Sequence, residues 1–228
     1  MKLAVAIAGD DAPDTAFVVW RGFESSIKKA AEYGYHGVEL ALKEASDVDT
    51  RELEKLLNKY DLEVSCISSG QVFASLNIYF THPDPEVRKR VTEVFTGLIN
   101  LAKDYGRIVN IGRVRGFYAK DQSKEDTEKF FVETAQRICD VAAKVGVTII
   151  IEPVNRYEIN FINSVDEGAD LVKKIDRPNC GLMPDVFHMN IEDARIGESF
   201  IRNADLVKYV HLADSNRWAP GQGHLDFD

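Results

Sequence analysis

The sequence predicts an α/β protein and, within that class, a (β/α)8 barrel. Three observations carry the prediction. Short apolar runs alternate with stretches of helical spacing along the whole chain, with little interruption. Three of those runs end directly on a carboxylate or a histidine: Thr148-Ile149-Ile150-Ile151 on Glu152, Gly181-Leu182-Met183-Pro184 on Asp185, and Lys208-Tyr209-Val210 on His211. The turn after the first strand, Ala8-Gly9-Asp10-Asp11-Ala12-Pro13, carries neither G-x-G-x-x-G nor a Walker A pattern. That counts against a nucleotide-binding doubly wound sheet, the runner-up architecture.

The elements follow in order. Residues 3–8 read as strand one; the run is too short for a signal peptide and has no small-x-small cleavage site after it. Residues 23–33 have helical spacing and stop at Gly34, a C-terminal cap. Residues 37–40 are strand two. Residues 50–60 form a helix with Thr50 as N-cap and Leu53, Leu56 and Leu57 on one face. Residues 63–68 are strand three, followed by a long loop. Pro85 opens a helix reaching about Tyr105. Residues 108–111 are strand four and 124–145 a long helix ended by Gly146. Residues 148–151 are strand five, 164–175 a helix, 181–184 strand six, 191–203 a helix and 206–212 strand seven.

No linker or change of composition divides the chain, so one domain over residues 1–228 is expected. Seven strands cannot close a barrel without exposing edges. Asp226-Phe227-Asp228 also suits the N-cap of a further helix. The last helix and strand eight are therefore expected beyond residue 228, leaving the domain C-terminally incomplete.

Bulk properties narrow the function. With 228 residues and 45% hydrophobic content, the chain can bury one sizeable core. A net charge of -9 and a pI near 5.1 oppose nucleic-acid and anionic-membrane surfaces. No run is long enough to span a bilayer. Cys66, Cys139 and Cys180 are odd in number and widely spaced, as expected of reduced thiols in a cytoplasmic protein.

Strand C-termini share one face in parallel α/β folds, and that face holds the active site. Glu152, Asp185 and His211 should therefore meet. Each has a plainer reading: Glu152 paired with Arg156 or another arginine, Asp185 capping the next helix, and His211 satisfied within the core. Their shared position past a strand end favours a divalent metal site. Two oxygens and one nitrogen suit Mn²⁺, Mg²⁺ or Co²⁺, and zinc also fits. His188, three residues past Asp185, could face the same mouth or simply be a hydrogen-bonded helix residue. Arg217 belongs to a polar loop at the same end, or is a solvated surface arginine. Arg113 and Arg115 follow strand four, where they could bind a substrate carboxylate or pair with acidic neighbours. Cys66, at the end of strand three, could touch substrate, although a buried free thiol is the default.

The segments I-E-P-V-N-R-Y-E, D-V-F-H-M-N-I-E and H-L-A-D-S-N-R, followed by P-G-Q-G-H-L-D-F, resemble the ketose 3-epimerases. These are the tagatose/psicose 3-epimerase group of the xylose-isomerase-like TIM barrels. G-Y-H-G-V-E-L extends the resemblance toward the N-terminus. The resemblance implies Glu152, Asp185 and His211 as metal ligands, with Glu152 also catalytic. It implies Glu158, His188 and Arg217 as substrate-binding residues around O1–O3 of the sugar. It further implies a second catalytic Glu on strand eight, to which no residue here corresponds.

The expected reaction is C3 inversion of a ketose through an enediolate, with a divalent metal as Lewis acid and a proton exchanged on each face. The chain also resembles bacterial epimerases of keto-sugar acids such as 5-keto-L-gluconate, which would give Arg113 or Arg115 a carboxylate to bind. The alternatives are an aldose–ketose isomerase moving a carbonyl between C1 and C2, and a non-catalytic sugar-binding barrel. An apurinic endonuclease is opposed by the acidic pI. The expected partner is a small ketose or keto-sugar acid; a homo-oligomer is compatible with the sequence.

Overall fold

The computed structural model describes residues 1–13 and 18–227, so of the expected cap segment Asp226-Phe227-Asp228 only Asp228 lies outside the described residues. Seven strands form one parallel sheet: β1 (Ala4–Ala8), β2 (Trp20–Arg21), β3 (Gly37–Ala41), β4 (Glu63–Ser68), β5 (Ile108–Ile111), β6 (Thr148–Ile151) and β7 (Cys180–Leu182). Their order is β2-β1-β3-β4-β5-β6-β7. The helices are α1 (Phe23–Glu32), α2 (Thr50–Tyr60), α3 (Val72–Leu76), α4 (Pro85–Ala102), α5 (Lys124–Ala143), α6 (Val165–Ile175), α7 (Val186–Glu192) and α8 (Ile196–Arg202). This βα alternation is the α/β barrel pattern expected from sequence.

Local chemistry fixes the helix starts. Asp49, Asp84, Ser123, Ser164 and Asp185 each accept a backbone N–H of the following first turn. The cap of α2 is thus Asp49, one residue before the expected Thr50.

Three further expectations change. The helix expected over 191–203 is two helices, because α7 starts early on its Asp185 cap and its own C-cap, Asp193, turns extended. The expected strand over 206–212 survives as two isolated parallel bridges, Leu182 to Val207 and Asp185 to His211. Pro184 lies between the bridges and has no N–H for the ladder, which also cuts β7 back to Leu182. Finally, two-residue β2 and five-residue α3 are too short to leave a periodic signal.

The strands divide their side chains by parity, and a bulge in β4 opposite Val38 and Glu39 shifts its count by one, so that Val64 and Ile67 share a face while Cys66 turns the other way. One face, with Val38, Leu40, Val64, Ile67, Val109, Ile111, Ile149, Ile151 and Leu182, packs under the helices in the main core. The other face turns inward. There Cys66, Ile150 and Met183 form a small apolar plug, with Ile108 and Tyr209 packed against it. The sheet curls enough for contacts to cross this interior: the Ser65 and Tyr209 hydroxyls lie 2.8 Å apart, and His211 Nε2 lies 2.9 Å from Glu39 Oε2. Two residues beyond each plug member, on the same face, come Ser68, Asn110, Glu152, Asp185 and His211. An apolar floor thus carries a ring of polar side chains at the C-terminal mouth. Among the described residues, no helix is long and apolar enough to cross a membrane.

Candidate metal centre

β6 delivers Glu152 to the mouth, where its Oε1 lies 3.4 Å from His211 Nδ1. Its Oε2 faces Asn110 Nδ2 at 3.4 Å. A Cβ on Gly112 would stand 3.2 Å from that same oxygen, so the glycine keeps the carboxylate uncrowded. Asp185 uses Oδ1 to accept the Phe187 N–H at 2.8 Å, which turns Oδ2 inward. Oδ2 stands 3.8 Å from His211 Nδ1 and 3.9 Å from His188 Nε2. Donor atoms of Glu152, Asp185 and His188 all lie within 4.8 Å of one another. Two carboxylate oxygens and two imidazole nitrogens therefore border one small space.

That donor set fits a divalent cation. Two carboxylates buried side by side repel each other and call for positive charge between them. Oxygen and imidazole donors suit Mn²⁺, Mg²⁺, Co²⁺ or Zn²⁺. The competing reading, in which Arg156 neutralises Glu152, does not hold. Arg156 instead grips Glu192 through its backbone N–H at 2.6 Å, Nε at 3.0 Å and Nη2 at 2.5 Å.

A family model described as "Xylose isomerase-like TIM barrel" matches residues 27–228. The chain belongs to that family. It is 31% identical over 209 residues to an L-ribulose 3-epimerase of Methylomonas sp. (strain DH-1), covering 90% of this chain and 71% of the relative. A D-psicose 3-epimerase of Ruminiclostridium cellulolyticum is 30% identical over 208 residues, covering 87% and 69%. The crystal structure of a D-allulose 3-epimerase from Methylomonas sp. in complex with D-allulose superposes with a TM-score of 0.81 at 27% identity, over 100% of this chain and 78% of that one.

Within this xylose isomerase-like barrel, charge is finely divided. Burial alone would push the Glu152 carboxyl up. The hydrogen bond and charge of His211, backed by His188 and Arg115, outweigh burial and hold it at about 2. Burial keeps Asp185 above the usual carboxylate range, against the pull of His188 and His211. Burial likewise lowers His188, although Asp185 and Glu152 oppose the shift. For His211 the balance reverses: burial disfavours its charge, but Glu39 and Glu152 raise it well above the ordinary imidazole value.

The remaining expected site residues separate into two groups. Glu158 and Arg217 come together at the rim, with Arg217 Nη1 donating to Glu158 Oε1 at 2.5 Å. The Arg217 guanidinium also lies over the Phe187 ring, 4.7 Å from its centre. Arg113, half-buried, lines the same cavity. This cavity, of about 1930 Å³, runs from Glu152, Asp185 and His188 along the edge between β1 and residues 206–212.

Arg115 and Cys66 are corrections. Arg115 is fully buried and points beneath the mouth. Its Nε donates to the Phe161 carbonyl at 2.9 Å and its Nη1 to the Glu152 carbonyl. It props the chain after β6 and cannot reach a substrate carboxylate. Cys66 belongs to the plug at 0% exposure, and burial, with Glu39 and Glu152 nearby, raises its thiol well above the ordinary value. Neither residue can touch a sugar in this arrangement.

Glu39, Asn110 and Asn155 were not singled out from sequence. Glu39 carried a usable signal, since an acid inside the buried run Gly37-Val38-Glu39-Leu40 needs a partner for the same reason as Glu152. The two asparagines carried none, because an Asn near a strand end reads as turn chemistry.

Proposed function

We propose that this protein is a divalent-metal-dependent epimerase that inverts C3 of a ketose or keto-sugar acid, with Glu152, Asp185 and His211 as metal ligands. The convergence of these three side chains at the mouth of a barrel whose relatives are named ketose 3-epimerases is the observation that carries the reading. A bound cation supplies Lewis acidity at the carbonyl next to the reacting carbon. In this reading Glu152, held ionised, takes the C3 proton. His188 presents a ring N–H to a sugar oxygen. Arg217 and Glu158 hold each other at the rim, oriented to receive sugar hydroxyls. Inversion also requires a proton carrier on the opposite face of the sugar.

The cation is read as Mn²⁺, Mg²⁺ or Co²⁺, with Zn²⁺ also fitting the donors, and the compartment as the cytoplasm from three free, buried cysteines. Residues 1–228 are read as a single domain. The half-buried Arg113 on the cavity wall supports the narrower reading of a substrate that carries a carboxylate.

Turnover of D-fructose, D-tagatose and D-psicose in D₂O with Mn²⁺ tests the reaction. One solvent deuteron at C3 of the product is expected; label confined to C1 or C2 would mean an aldose–ketose isomerase. A keto-hexuronate should outrun the neutral sugars, and Arg113→Met should erase that preference. Equal turnover of both classes by the unaltered protein would remove the carboxylate reading.

A further inference from the structure

Two imidazoles face the same pair of carboxylates, yet their outer nitrogens meet opposite kinds of neighbour. The Oδ1 of Asn155 accepts the Tyr157 backbone N–H at 3.0 Å, which fixes the amide orientation. Its Nδ2 therefore faces His188 Nδ1, at 2.8 Å. An amide NH₂ can only donate, so His188 Nδ1 accepts and the ring proton sits on Nε2. That Nε2–H points into the site, 3.9 Å from Asp185 Oδ2. A nitrogen holding its proton is a donor and not a ligand. His211 is arranged in reverse. Its Nε2 meets Glu39 Oε2 at 2.9 Å, and a carboxylate can only accept, so the proton stays on Nε2. The Nδ1 of His211 is then the atom that faces Glu152 at 3.4 Å and Asp185 at 3.8 Å.

We propose that Glu39 and Asn155 are positioning residues that sort the two histidines. Glu39 commits His211 to bind the cation through Nδ1, while Asn155 keeps His188 out of the ligand set as an Nε2–H donor to substrate. The inference rests on the metal-site reading above and deepens it. Donation of a ligand histidine's second ring nitrogen to a carboxylate is a recurrent support of metal sites, and removing such a partner typically weakens metal binding about 10–100-fold. Asn155 supplies the opposite support. Without it, the His188 ring is free to move its proton to Nδ1, which leaves a bare Nε2 3.9 Å from Asp185 Oδ2 and removes the donor to substrate.

Two readouts on the whole protein test this without turnover. The first is calorimetric titration with Mn²⁺. Glu39→Leu should raise the Kd about 10–100-fold, while Asn155→Leu should leave it within roughly twofold. Equal losses in both variants would overturn the sorting. If Glu39→Leu does not fold, Glu39→Met, which likewise removes the carboxylate acceptor, serves in its place, and a Kd unchanged from the unaltered protein would overturn the role of Glu39. The second readout is the ring ¹⁵N–¹H correlation spectrum of the Zn²⁺-loaded protein. His188 should carry its proton on Nε2, and Asn155→Asp should move it to Nδ1. A proton on Nδ1 of His188 in the unaltered protein would sink the proposal. Loss of the epimerase reading alone would show as correct sorting and metal binding without C3 exchange.

Discussion

Arg115 carries a positive charge into the interior and spends it on two carbonyls, one of them belonging to Glu152. Burial pulls its guanidinium down to about 10, and its Nη2 has no hydrogen-bond partner among the described residues. Arg115→Met should therefore cost about 2–4 kcal/mol, the worth of two charge-assisted bonds offset by relief of a buried charge. Urea denaturation measures this, and a neutral outcome would mean that the props carry no net stability. Cys66 should resist thiol reagents in the native protein and react on unfolding, since burial disfavours its thiolate. Labelling at the free-cysteine rate in the folded protein would contradict its place in the plug. The meeting of Glu152, Asp185 and His211 was legible in sequence because each ends an apolar run. Arg115 misled because sequence places a residue near the mouth without saying which way its side chain turns. Cys66 misled for the same reason.

Between strands and helices, the loop of residues 213–225 is organised around one buried carboxylate. Asp214 accepts the N–H groups of Ser215 at 2.7 Å, Gly221 at 2.8 Å and Leu225 at 3.1 Å. Gly223 packs so tightly on the same side chain that a Cβ there would collide with Oδ1. Burial would raise this carboxyl, but the backbone N–H groups of Leu225, Ser215, Gly223 and Gly221 hold it far below the ordinary value of 3.8. A depressed carboxylate gives stability that is present above its unfolded pKa and lost as pH falls through the folded one. The amide shifts of Ser215, Gly221 and Leu225 should hold steady down through pH 4 and move only in stronger acid. Titration near 4 would show the carboxylate to be free. In Asp214→Ala these amides should exchange with solvent at least about tenfold faster at pH 7, since the loop then opens locally. The same loop presents Arg217, held at φ 66°, to Glu158. Regular elements were readable here where periodicity was long, as in α4 and α5. The division of residues 191–203 into two helices was not: in sequence the Asp185 cap reads as an alternative to its place in the site, whereas Asp185 caps α7 through Oδ1 and still turns Oδ2 inward, and the extended Asp193 that ends α7 leaves no apolar signal.

At the scale of the whole molecule, a cation that binds only the folded mouth must stabilise the protein by mass action. At a hundredfold excess over Kd the gain is about 2.7 kcal/mol. For a chain of this size that is roughly 5–11 °C in Tm. A thermal melt with Mn²⁺ should show the rise, and EDTA should reverse it; an unmoved Tm would remove the metal site. The barrel class was visible from the alternation of runs, whereas the parity of each run was not, since Ile149, Ile150 and Ile151 look alike in sequence. Parity has a consequence for assembly of the fold. Glu152 and Asp185 stand two residues beyond Ile150 and Met183 on one face of their strands. If β6 or β7 slipped by one position, a carboxylate would be driven under the helices among Ile151 and Leu182, at a cost of several kcal/mol. The groups that would perform the chemistry thus also act as proofreaders, penalising a one-residue misalignment before the correct barrel is complete.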